Sequence, residues 1–79
     1  MSTHSDNLIQ MANRIGQFFE SMPDHAEALE GVAQHIRKFW EPRMRAEFLR
    51  LVDAPGEREV RAIVLEAVGV YRGVLEEGL

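Results

Sequence analysis

The sequence predicts an all-α fold, a small bundle of three to four helices in one domain over residues 1–79, with a short helix after a Glu-Pro corner. Three observations carry this expectation. Apolar residues recur at three- and four-residue steps in each segment, and none alternates as a strand would. Pro23, the Glu41-Pro42 pair and "DAPG" at 53–56 punctuate the chain and divide it into four segments. Seventy-nine residues, 46% of them apolar, suffice for one core and are close to the size at which one core is only marginally sufficient.

The first helix is expected from about Asp6 to Ser21, with Ser5 or Asp6 as N-cap and residues 1–5 as a flexible terminus. Its apolar face reads Leu8, Met11, Ala12, Ile15, Phe18, Phe19 and Met22, and Ala12 and Gly16 leave room for another backbone. The second runs from Asp24 to Trp40. Asp24 with Glu27 three residues on forms a variant capping box, and Ala26, Leu29, Val32, Ala33, Ile36, Phe39 and Trp40 form the stripe. Glu41 precedes a proline and so avoids helical geometry, whereas Pro42 loses nothing at the first position of a new helix.

That third helix spans about Pro42–Val52, with Met44, Phe48, Leu51 and Val52 inward. The last is expected from about Pro55 to Glu77 as one helix, with a strand within 62–71 as the alternative because valine is frequent there. Its apolar positions cover more than one face, since Val68 and Val70 lie about 200° apart on a helix. Gly69 and Gly73 read as a close helix packing site. So short a chain cannot cover both faces of this helix and also bury Phe18, Phe19, Phe39, Trp40 and Phe48. Exposed apolar surface, and hence a partner or self-association, is the physical expectation.

Composition excludes several kinds of chemistry. With no cysteine there is no disulfide, thiolate metal site or cysteine nucleophile. His4, His25 and His35 are scattered without metal-ligand spacing, no glycine-rich phosphate loop occurs, and no serine has a base at recognisable spacing. The expectation is no catalytic residue, no metal and no cofactor held by this chain. No secretory signal or membrane-length apolar run is present, which points to a cytoplasmic protein away from membranes.

The net charge of −4 is unevenly spread. Between residues 37 and 50, five cations face two acids, a local balance of +3 that leaves the rest of the chain at −7. The acidic remainder argues against nucleic acid and leaves room for a complementary protein surface. The stretch "FWEPRMR" at 39–45 joins aromatic residues to arginines, the side chains enriched at interface hot spots. From these residues alone, a partner surface and a core corner roofed by arginine stems are equally good readings.

Two motifs add a resemblance. "LIQMANRIGQFFESMP" followed by "VAQHIRKFWEPRMRAEFLRLV" resembles the delta subunit of molybdenum-containing, NAD-dependent formate dehydrogenases, over about residues 8–52. Asn13, Phe18, Phe19, His35, Trp40, Pro42, Arg43 and Arg45 fall on the motif positions, while Arg14 stands where the pattern often carries glutamine. The resemblance implies a non-catalytic accessory chain that docks on the large catalytic subunit and supports assembly, cofactor loading or activity. The partner complex would carry bis-molybdopterin guanine dinucleotide, iron–sulfur clusters, FMN and NAD. Alternatives are a transient maturation chaperone absent from the mature enzyme, or an unrelated self-associating helical adaptor. On the docking reading, Trp40, Arg43 and Arg45 face the partner and Phe39 and Met44 face inward.

Overall fold

A computed structural model describes residues 3–54 and 59–79, with the side chains of residues 3–6 left aside. Among these residues the structure is helical without strands: α1 (Thr3–Glu20), α2 (His25–Phe39), α3 (Pro42–Asp53), α4 (Ala62–Val70) and α5 (Arg72–Glu76). The Cα radius of gyration is 11.7 Å, against about 11.6 Å for a compact chain of this length.

Local chemistry sets the first boundaries. α1 begins at Thr3, so Ser5 and Asp6 lie inside its first turns and not at its cap as expected. Asp24 is extended (φ −93°, ψ 112°) and its Oδ1 accepts from the Glu27 N–H at 3.1 Å, satisfying an otherwise orphaned donor of the α2 N-terminus. Glu41 is likewise extended (φ −64°, ψ 154°), as a residue before proline must be, and Pro42 opens α3.

α2 is the central element, meeting α1, α4 and α5, while α1 also packs on α3 and α4. The core draws Leu8, Ile9 and Ala12 from α1, Leu29, Val32, Ala33 and Ile36 from α2, and Phe48 and Leu49 from α3. α4 adds Ile63, Val64, Ala67 and Val68, and α5 adds Leu75. Gly16 allows α1 to approach α4 as anticipated: a β-carbon there would lie 2.7 Å from Val64 Cγ2 and 3.0 Å from Ile63 Cγ2.

Three expected faces are corrected. On α1, Met11 and Phe18 point outward, and Ile9 and Gly16 take their place. On α2, Ala28 is buried, whereas Ala26 and Phe39 are exposed. On α3 the fully buried residues are Arg45, Phe48 and Leu49, and Arg45 finds hydrogen-bond partners inside. Of the expected Met44, Phe48, Leu51 and Val52, Phe48 is inside and the other three are half-buried against the core.

The last segment is not one helix. Residues 59–61 are not helical, and the expected helix start at Pro55 lies outside the described residues. The helix then breaks at Tyr71 (φ −112°, ψ 29°), which still donates its N–H to the Ala67 carbonyl at 2.9 Å. Gly69 and Gly73 flank the break, and β-carbons there would meet nothing within 4 Å. They are not a packing site; glycine in a helix interior costs about 1 kcal/mol relative to alanine and so weakens the helix here. The break frees α5 to rest on both α2 and α3, where a guanidinium pair holds it: Arg72 grips Asp53 at the end of α3, with Nη1 to Oδ1 at 2.8 Å. Of the two apolar faces only one is buried, with Val68 inside and Leu65 and Val70 exposed.

Candidate functional site

The Glu-Pro corner is built differently from its sequence reading. Trp40, only 6% exposed, caps α2 and sets its ring edge-on to Phe48, centroids 5.5 Å apart and planes at 77°. Phe39, next to it, is 71% exposed. The expected places of Phe39 and Trp40 are therefore exchanged: Val32, Ile36 and Trp40 follow one stripe into the core, while Gly31, His35 and Phe39 follow the next stripe outward.

Arg45 is also internal, 3% exposed, with Nη1 donating to the carbonyls of Leu75 and Glu77 at 2.8 Å each. The carbonyls at the end of α5 carry partial negative charge, so the Arg45 cation is favourable there and fastens α5 to α3. Its Nε is buried without a partner. Arg43, two residues earlier, is exposed, as is Pro42, and Met44 is half-buried against the core.

Asn13 has a structural task as well. Its Nδ2 donates to the Glu59 carbonyl at 2.7 Å and its Oδ1 accepts from the Arg61 N–H at 2.9 Å. Arg61 in turn donates to both carboxylate oxygens of Glu20, at 3.0 and 3.1 Å. Together these bonds staple the non-helical residues 59–61 that lead into α4 onto α1. Asn13, Trp40 and Arg45 thus hold the fold, and no periodicity rule marks a polar side chain for that duty.

The remaining motif residues converge elsewhere. Phe18, Phe19, His35 and Phe39 form a continuous ladder of rings across α1 and α2, with successive centroids 5.0, 6.4 and 4.8 Å apart. The His35–Phe39 step follows from helical spacing, since residues four apart stand one above the other. Phe19 is seated because Gly31 has no side chain; a β-carbon there would lie 2.6 Å from Phe19 Cδ1. Phe18, 70% exposed, stacks its edge on Phe19 with the planes at 89°. Between them opens an apolar groove of about 300 Å³ lined by Arg14, Ile15, Phe18, Phe19 and His35.

Three of the ladder's four rings are hydrocarbon. His35 is its one titratable ring, and its ring contacts are to Phe19 and Phe39. His25 pairs with Glu66 at 3.2 Å, tying α2 to α4. Among the described residues no group of three or more histidine or carboxylate side chains could hold a metal ion. No described helix is long and apolar enough to cross a membrane.

The two motif segments that build this face lie within a wider match to a known family, described as NADH-dependent formate dehydrogenase delta subunit FdsD, over residues 7–68. No curated protein and no solved structure matches the chain. The matched residues run from the start of the α1 core through most of α4, so that the Asn13 staple, the aromatic ladder and the Trp40 corner all fall inside them. The chain belongs to the family of NADH-dependent formate dehydrogenase delta subunits.

Proposed function

We propose that the chain is a non-catalytic accessory subunit that docks on the large catalytic subunit of a cytoplasmic, NAD-dependent molybdenum formate dehydrogenase through the α1–α2 aromatic face. The observation that carries this is the exposure of Phe18 and Phe39, 70% and 71%, at the two ends of a ring ladder otherwise packed on the core. Contiguous exposed aromatic surface on so small a chain is costly in water unless a partner covers it. Such rings are the side chains that anchor interfaces.

On this reading bis-molybdopterin guanine dinucleotide, iron–sulfur clusters, FMN and the NAD site belong to the partner chains. The delta chain supports assembly, cofactor loading or activity by holding a surface of the catalytic subunit. Arg43 and Pro42 remain available at the surface, while Trp40, Arg45 and Asn13 act indirectly by fixing the helices that carry the face.

Mass analysis of the purified, active enzyme tests the proposal. A stoichiometric chain of 9.0 kDa is the expected result. Active enzyme that never contains it, at any stage of purification, would remove the permanent subunit and leave the transient maturation role.

A further inference from the structure

The groove between α1 and α2 carries a sign as well as a shape. Arg14 lines it, and the helical neighbours of Arg14 (Gln10, Met11, Gln17 and Phe18) include no acid. Across the groove, the neighbours of His35 are Gly31, Val32, Lys38 and Phe39, again without an acid. Arg37, Arg61 and Arg72 each hold a carboxylate, whereas Arg14 and Lys38 pair with none among the described residues. A chain of net charge −4 therefore presents positive charge that no described carboxylate neutralises beside this apolar groove.

Resting on the docking reading above, we infer that this groove receives an apolar side chain from a segment of the catalytic subunit that carries Asp or Glu within one turn of it, the carboxylate closing on Arg14. A planar guanidinium beside a desolvating apolar wall suits bidentate capture of a carboxylate. The net negative charge of the residues outside 37–50 disfavours such a segment over much of the remaining surface, which biases the orientation of docking.

Two other occupants fit less well. A second copy of the chain, paired isologously, would bring like charges together across the contact. A small molecule in the groove would leave the Phe39 end of the ladder uncovered, since Phe39 is not part of its lining. The volume of about 300 Å³ lies at the lower edge of the ~300–1,000 Å³ common for ligand sites.

The test uses the full chain and the formate dehydrogenase complex. A photo-reactive phenylalanine analogue at position 18 is expected to cross-link to the catalytic subunit at an apolar residue near an Asp or Glu. Arg14→Glu is expected to weaken capture by more than about tenfold, the loss of one hot-spot contact. Arg14→Lys, which keeps the charge but loses the bidentate fork, should weaken capture less than Arg14→Glu, by about three- to tenfold. Cross-linking to a second copy or to a segment without an acid overturns the inference, as does undiminished capture by a folded Arg14→Glu chain. Those results leave the docking proposal standing if the wild-type chain co-purifies. A wild-type chain that never associates with the enzyme overturns both.

Discussion

The ring of Phe19 occupies the space that a side chain at Gly31 would fill, so that α2 carries a seat for an aromatic residue of α1. This contact places Phe19 as the floor of the groove and supports the exposed ring of Phe18 at 5.0 Å. The aromatic face thus depends on one glycine one turn before His35.

Gly31→Ala should displace the Phe19 ring and destabilise the chain by about 1 kcal/mol. Overpacking costs about 1–3 kcal/mol, partly offset by the gain of up to about 1 kcal/mol in helix propensity. Urea unfolding checks the sign. A more stable variant with unchanged capture of formate dehydrogenase would mean that the seat has no role.

Phe39 and Trp40 should respond in opposite ways. Trp40→Ala empties a core position and is expected to cost about 3–5 kcal/mol, measured by denaturant unfolding. Phe39→Ala should stay within about 0.5 kcal/mol of wild type, as surface substitutions do, yet weaken capture of the enzyme. Equal loss of stability in the two variants would contradict the burial pattern.

Arg43 and Arg45 make a second discriminating pair. Arg45→Ala leaves the Leu75 and Glu77 carbonyls without their donor and is expected to cost about 2–4 kcal/mol. Amide exchange at residues 75–79 should accelerate most. Arg43→Ala, exposed and without an ion-pair partner among the described residues, should leave stability within about 0.5 kcal/mol. Similar unfolding midpoints for the two would disprove the α5 anchor.

The Asp53–Arg72 pair predicts a pH dependence. The hydrogen bond from Arg72 is the main cause that holds the Asp53 carboxyl below its ordinary value of 3.8, with charge attraction adding to it. A depressed folded-state value means that the pair stabilises fully above the unfolded value and loses this contribution as pH falls through the folded one. Because Asp53 is exposed, the effect is screened and modest. Asp53→Asn should therefore flatten the acid limb of the stability–pH profile below about pH 4 and leave its shape above pH 6 unchanged. An acid limb identical to wild type would exclude the pair as its source.

Much of the fold was legible because its signals are local. The Asp24 cap and the Glu41-Pro42 corner are decided by a few neighbouring residues, and the structure places both where the sequence does. The break at Tyr71 was hidden because Gly69 and Gly73 look alike whether they admit a neighbour or weaken a helix; only tertiary context tells which. The site was half legible. The motif segments carry the aromatic face, but an exposed aromatic and a buried one sit side by side at 39 and 40, and their choice depends on where α2 stops. The Val32–Ile36–Trp40 series held that signal. Nothing in spacing revealed that Arg45 and Asn13 bind distant carbonyls 30 and 46 residues away.

The aromatic face is tested most directly by the double variant Phe18→Ala, Phe39→Ala, which removes both exposed rings and none of the buried ones. Its affinity for the formate dehydrogenase catalytic subunit, measured on a chain whose unfolding midpoint matches wild type, should fall by about a hundredfold or more, as two lost hot spots require. Wild-type affinity in that folded variant would place the docking surface elsewhere on the molecule.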